Sequence, residues 1–201
     1  GAVSIFSVAI TVATDVFMRA QRAQRQAAAF EKVQDATRFV MTRISQELLA
    51  GRIAYKCYDG SDATCNISDR NATGGGGRIV SDTLAVEGAD GTVTLFTVRK
   101  ENHTDYGEVC KKANPSASCL IIVRGNQHER MTPDGIAVQK LAFFITPDKD
   151  PLRVDTTLND YPSDVQPKVT IMMTVRGDVP GIREPIDLSV QTTLSSRIYE
   201  R

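Results

Sequence analysis

The chain changes its hydrophobic rhythm twice, and each change marks a boundary between elements. From Gly1 to Met18 there is no lysine, arginine or glutamate and a single acid, Asp15. Val3, Ile5, Phe6, Val8, Ile10, Val12, Val16 and Phe17 surround a helix on every side instead of forming one stripe, the pattern of a helix buried all round. From Arg19 the pattern becomes amphipathic: Phe30, Val33, Thr37, Val40, Met41, Ile44 and Leu48 recur at three- and four-residue intervals. Glu31, Lys32, Asp35, Arg38, Thr42 and Gln46 mark the solvated side. No proline interrupts before Gly51 supplies a stop signal. One helix over about 1–50 is predicted, about 75 Å long at 1.5 Å per residue. That is roughly twice the span of a compact domain, so its front half must project.

After Gly51 comes a loop of about 25 residues that ends in the glycine run Gly74 to Gly77. Period-two alternation follows. Ile79 to Val86 and Thr92 to Val98 flank a hairpin turn at Gly88 to Gly91. Leu120 to Val123, Val138 to Ile145, Lys168 to Val175 and Ile186 to Leu194 complete the strand candidates. The expected fold class is α+β, with the long N-terminal helix packed on an antiparallel sheet. Residues 1–25 form a protruding hydrophobic half and residues 26–201 the globular domain.

Charge narrows the choices little: lysine plus arginine and aspartate plus glutamate are 24 each, so no net field calls for a nucleic acid or an anionic membrane. The apolar stretch before Asp15 is shorter than the ~20 residues that cross a bilayer. It also has neither the basic start nor the small-residue cleavage site of a secretory signal peptide. It reads as the remaining part of a longer hydrophobic helix.

The cysteines form two close pairs in polar, turn-rich stretches, Cys57 with Cys65 and Cys110 with Cys119. Neither spacing fits a zinc knuckle or a redox motif. Local disulfide pairing in an oxidising compartment is expected, with another connectivity or free thiols as the alternatives.

Chemistry-bearing patterns are sparse. His103 and His128 lie apart in polar segments, without a cysteine or carboxylate at metal-ligand spacing. There is no nucleophile elbow, and Gly74 to Gly77 runs into Arg78-Ile79 where a phosphate-binding loop needs lysine then serine or threonine. A non-enzymatic role is expected, without a cofactor. Aspartates gather in two loops, Asp59, Asp62 and Asp69 in one and Asp148, Asp150 and Asp155 in the other. Calcium is the ion such loops could attract, although neither fits a twelve-residue calcium loop and solvated turns are the plainer reading. Asn66, Asn71 and Asn102 head glycosylation-type triplets in predicted loops. Arg19, Arg22 and Arg25 repeat every three residues after the apolar segment. Such a ridge could meet phosphate of DNA or lipid, pair with acids of a neighbouring subunit, or stay hydrated.

The layout of hydrophobic helix, amphipathic continuation, cysteine-stapled loop and antiparallel sheet resembles the type IV pilins and type II secretion pseudopilins. Local stretches add to it: Ile5-Phe6-Ser7, the Arg19-Ala20-Gln21-Arg22 turn, Val33 to Arg38, Ile44 to Leu48 and the ending Gln191 to Arg197 look like the larger minor pilins and pseudopilins. The family's cleavage-site glycine followed by an early glutamate is not matched after Gly1, nor is the helix-breaking proline of the hydrophobic half. The resemblance implies a structural subunit that polymerises with copies of itself into an extracellular filament. Val3, Ile5, Phe6, Val8, Ile10, Val12, Val16 and Phe17 would then be the polymerisation interface. It further implies dependence on a pilus assembly machinery and anchoring in the inner membrane before assembly. A minor pilin or pseudopilin that primes or caps a filament is the alternative. A surface adhesin or DNA-binding module, using the Cys57 to Cys65 loop or the arginine ridge, is a third reading.

Overall fold

With neither glycine nor proline between residues 2 and 50 and a run rich in alanine, arginine and glutamine from Arg19 to Ala29, the helix has nothing to break it. In the computed structural model α1 runs unbroken over Ala2–Ala50. The structure describes residues 2–62, 65, 67, 77–100, 118–154, 165–177 and 185–196; within these, the side chains of 2–9 and of Lys100 are outside the description. Gly51 ends the helix, its N–H donating to Glu47 O at 2.9 Å. A Cβ at Gly51 would lie 2.6 Å from Glu87 O and 2.8 Å from Val86 Cγ1, so only glycine lets the chain pass this close to the sheet.

The chain then enters β1 (Arg52–Ile53), the one-turn helix α2 (Lys56–Asp59) and the strands β2 (Ile79–Ser81), β3 (Thr83–Glu87), β4 (Val93–Lys100), β5 (Ser118–Arg124), β6 (Gln127–Arg130), β7 (Ile136–Thr146), β8 (Lys168–Gly177) and β9 (Ile186–Ser195). They make two antiparallel sheets, in the orders β1-β3-β4-β5-β6 and β2-β7-β8-β9. The fold is α+β, but the single sheet expected from the alternation is corrected to two. The reason lies at Asp82. The stretch from Ile79 to Val86 reads as one strand, yet Ser81 Oγ accepts from the Thr83 N–H at 3.1 Å, a local side-chain turn that interrupts the ladder. Residues before it pair with β7 and residues after it with β4. The turn between β3 and β4 lies at Gly88 to Gly91, with Gly88 N–H on Thr92 O at 2.9 Å and Gly91 at φ 78°.

Both sheets and the second half of α1 share one core. Val33, Val40, Ile44 and Leu48 of α1 meet Leu84, Val86, Phe96, Leu120 and Ile122 of the first sheet and Ile136, Val138, Phe143, Ile145, Val169, Ile171, Met173 and Val175 of the second. Thr37 is buried with them, its hydroxyl satisfied by Val33 O at 2.7 Å. The expected stripe needs two changes. Phe30 is 44% exposed and Met41 only half-buried, while Ala29 and Ala36 are buried. Gly177 at the end of β8 marks a close approach of α1 to the sheet, since a Cβ there would overlap Val33 Cγ2. Across the first sheet, Glu47 of α1 takes Arg124 of β5 and, at 3.1 Å, Arg43.

Candidate assembly surface

Burial along α1 begins at Ala29; from Ile10 to Ala28 every residue is exposed except the half-buried Gln21. Ahead of the body, residues 2–28 of α1 therefore extend for about 40 Å. Ile10, Val12, Val16 and Phe17 are 51–60% exposed, joined by Met18 at 46%. Met18 was not among the residues singled out from the sequence, although it continues the apolar run without a gap. The corresponding side chains of Val3, Ile5, Phe6 and Val8 lie outside the described residues. A soluble domain rarely exposes a contiguous apolar surface of this kind, and such patches mark association sites. Among the described residues no helix is long and apolar enough to cross a membrane.

The arginines that follow lie on an i, i+3 row, a ridge inclined to the helix axis. A spacing of three residues rotates each side chain by about 60° relative to the last, so Arg19, Arg22 and Arg25 wind around the helix. Arg19 is already paired with Asp15 one turn earlier at 2.8 Å, and both side chains are more than half exposed.

At the other end of α1, the disulfide Cys57–Cys65 closes the loop that follows the helix, with Cα atoms 5.1 Å apart. Tyr58 locks this loop onto β3: its buried hydroxyl donates to Thr83 O at 3.1 Å and accepts from the Ala85 N–H at 2.8 Å. Burial pushes the phenol well above its ordinary range, which keeps it a donor. Next to it, Glu87 takes Arg52 Nε and Lys56 Nζ, each at 3.0 Å. Burial alone would raise this carboxyl; the two cationic hydrogen bonds outweigh it and hold its pKa below 4.5. Neither Tyr58 nor Glu87 stood out in the sequence, because their partners lie 25 or more residues away. Cys119 is also disulfide-bonded, while Cys110 lies outside the described residues.

The two aspartate loops come together around Tyr55. Asp59 faces Arg153 at 3.5 Å, Asp62 faces Lys56 at 3.5 Å, and Asp150 caps its own turn by accepting from the Leu152 N–H at 2.9 Å. Burial, with Asp150 and Asp148 nearby, raises the Tyr55 phenol. Among the described residues no three metal-ligating side chains converge; Asp69 and Asp155 lie outside them. So do Asn66, Asn71, Asn102 and His103. His128 is half-buried on β6. A groove of about 930 Å³ separates the exposed Phe39 of α1 from the Met131–Asp134 turn, bridged by Lys32 Nζ donating to Asp134 O at 3.1 Å.

Comparison with protein-family models, with curated proteins and with solved structures returned no match.

Proposed function

We propose that this chain is a non-enzymatic structural subunit of a type IV pilus-like extracellular filament. The observation that supports the reading best is the exposed apolar stretch of α1 from Ile10 to Met18. It is an apolar rod continuous with a helix whose rear half is anchored in a two-sheet core. A rod fixed at one end and apolar around its circumference is stable where equivalent rods of other copies surround it. In that arrangement the globular bodies form the outer layer and the rods the axis. Burying Ile10, Val12, Val16, Phe17 and Met18 at about 1.5–3 kcal/mol each gives an upper bound of roughly 7–15 kcal/mol per subunit. That bound exceeds the stabilisation a weak surface contact provides, so this element is the one that drives polymerisation.

Replacing Phe17 with glutamate tests the reading. The side chain touches nothing in the body, so the purified variant should keep the circular dichroism and melting behaviour of the parent. Placed in a rod bundle, however, the charge would be buried without a partner, and cells carrying the variant should show filaments reduced at least about tenfold. Normal filament numbers from Phe17→Glu would overturn the buried-rod reading.

A further inference from the structure

β9 is the outermost strand of its sheet, and among the described residues no strand lies beyond it. Ten residues long, it has a row of backbone donors and acceptors for which no partner strand is found among the described residues. The other sheet ends are much shorter, at two, three and four residues. Long free edges are normally blunted by lysine, proline or a bulge. β9 carries none of these: its sequence is IDLSVQTTLS and its register with β8 is unbroken. Its one charge, Asp187, is neutralised from within by Arg176 at 2.8 Å. The strand's inner face is left half covered at Leu188, Val190 and Leu194.

We infer that this edge pairs with the β9 edge of a second copy of the chain, antiparallel about a two-fold axis at Gln191. The self-complementarity of the strand in this register is what selects a second copy as the occupant. Of the face-preserving registers that overlap the strands, this one sets Leu188 against the partner copy's equivalent of Leu194, and Ser189 against that of Thr193. Asp187 meets the equivalent of Ser195, so no like charges are apposed. On the outer face the hydroxyl pairs already present, Thr170 with Thr193 at 2.8 Å and Thr174 with Ser189 at 3.0 Å, join end to end across the axis into continuous rungs. Cross-strand pairs of this kind stabilise sheets. On the inner face the half-covered leucines and Val190 become enclosed.

The helices agree with this geometry. Phe30 and Met41 lie on the flank of α1 opposite Phe39, given about 100° of rotation per residue. Phe39 lines the groove beside the turn that leads into β7, and α1 packs on β8 and β9. The flank of Phe30 and Met41 therefore faces the free edge. Two such helices, each seated over β8 and β9, would run side by side about 10 Å apart, an ordinary helix-packing distance. The two-fold axis makes them antiparallel, so the protruding rods point in opposite directions. The pairing is thus distinct from a filament of parallel rods and belongs to subunits outside one filament. It stands or falls separately from the filament reading.

Site-specific cross-linking of the full chain in detergent tests it. Cys57, Cys65 and Cys119 are disulfide-bonded, so an introduced thiol reports on its own site. Gln191→Cys places two thiols across the axis at a Cα separation of about 4.5–5.5 Å, within disulfide reach. Ser189→Cys alone places them about 14 Å apart, whereas a mixture of Ser189→Cys and Thr193→Cys brings them together. Under mild oxidation the Gln191→Cys chain and the mixture should give covalent dimers at least about tenfold faster than Ser189→Cys alone. Absence of a Gln191→Cys dimer would overturn the pairing, and so would equal linking at all positions, which is the mark of association through the rods or through other surfaces.

Discussion

The apolar core of the body is tied together at its edges by a few buried polar residues. Glu87 is 9% exposed and carries Arg52 and Lys56, tying β1 and the start of α2 to the end of β3. Its pKa in the folded chain lies below the ordinary 4.5. The stability it contributes is therefore complete above its unfolded pKa and is lost as the pH falls through the folded value. Unfolding midpoints should be flat near neutrality and drop as the pH is lowered below about 4.5. Glu87→Gln should cost about 1–2 kcal/mol at pH 7 and flatten that acid limb. A variant that retains the full acid dependence would show that other carboxylates carry it. None of this was legible in the sequence, where Glu87 is simply the last residue before a glycine turn. Its role depends on Gly51 bringing the helix end against β3, a closeness of backbones that leaves no periodic trace.

At the scale of elements, the helix and the long strands were the legible parts, because their periods are carried by many residues at once. Val33, Val40, Ile44 and Leu48 mark the buried stripe of α1, and the alternation in β8 from Val169 to Val175 marks its inner face. What misled was size. Phe30 drew attention as a large apolar residue and is exposed, whereas Ala29 and Ala36 are the buried ones. The division into two sheets was hidden for a different reason: it rests on the Ser81 hydroxyl and the Asp82 turn, a brief polar interruption flanked on both sides by strand-forming residues. The docking of helix on sheet makes its own prediction at Gly177. An alanine there would drive its methyl into Val33 Cγ2, and Val33 is fully buried with no room to retreat. Gly177→Ala should lower stability by about 1–3 kcal/mol in denaturant titration, and adding Val33→Ala should recover part of the loss. A neutral Gly177→Ala would contradict the seating of α1 at the end of β8.

The whole molecule combines a stapled, two-sheet body with a rod it does not itself cover. The rod's apolar character was legible from residue types alone, since nothing charged apart from Asp15 interrupts Gly1 to Met18. Its exposure could only be inferred from helix length. The two ends of α1 differ: residues from Ala29 onward anchor the helix in the body, and Ile10, Val12, Val16, Phe17 and Met18 leave apolar surface exposed. The free β9 edge is a second surface of a different kind, flat and hydrogen-bonding, on the body itself. The central claim, that copies of this chain assemble through their rods into a filament, is tested most directly by electron microscopy of material sheared from the cell surface, with mass spectrometry of the same fraction. The account predicts thin uniform fibres in which this chain is the main component. Discrete particles, or fibres in which it is only a trace constituent, would contradict it.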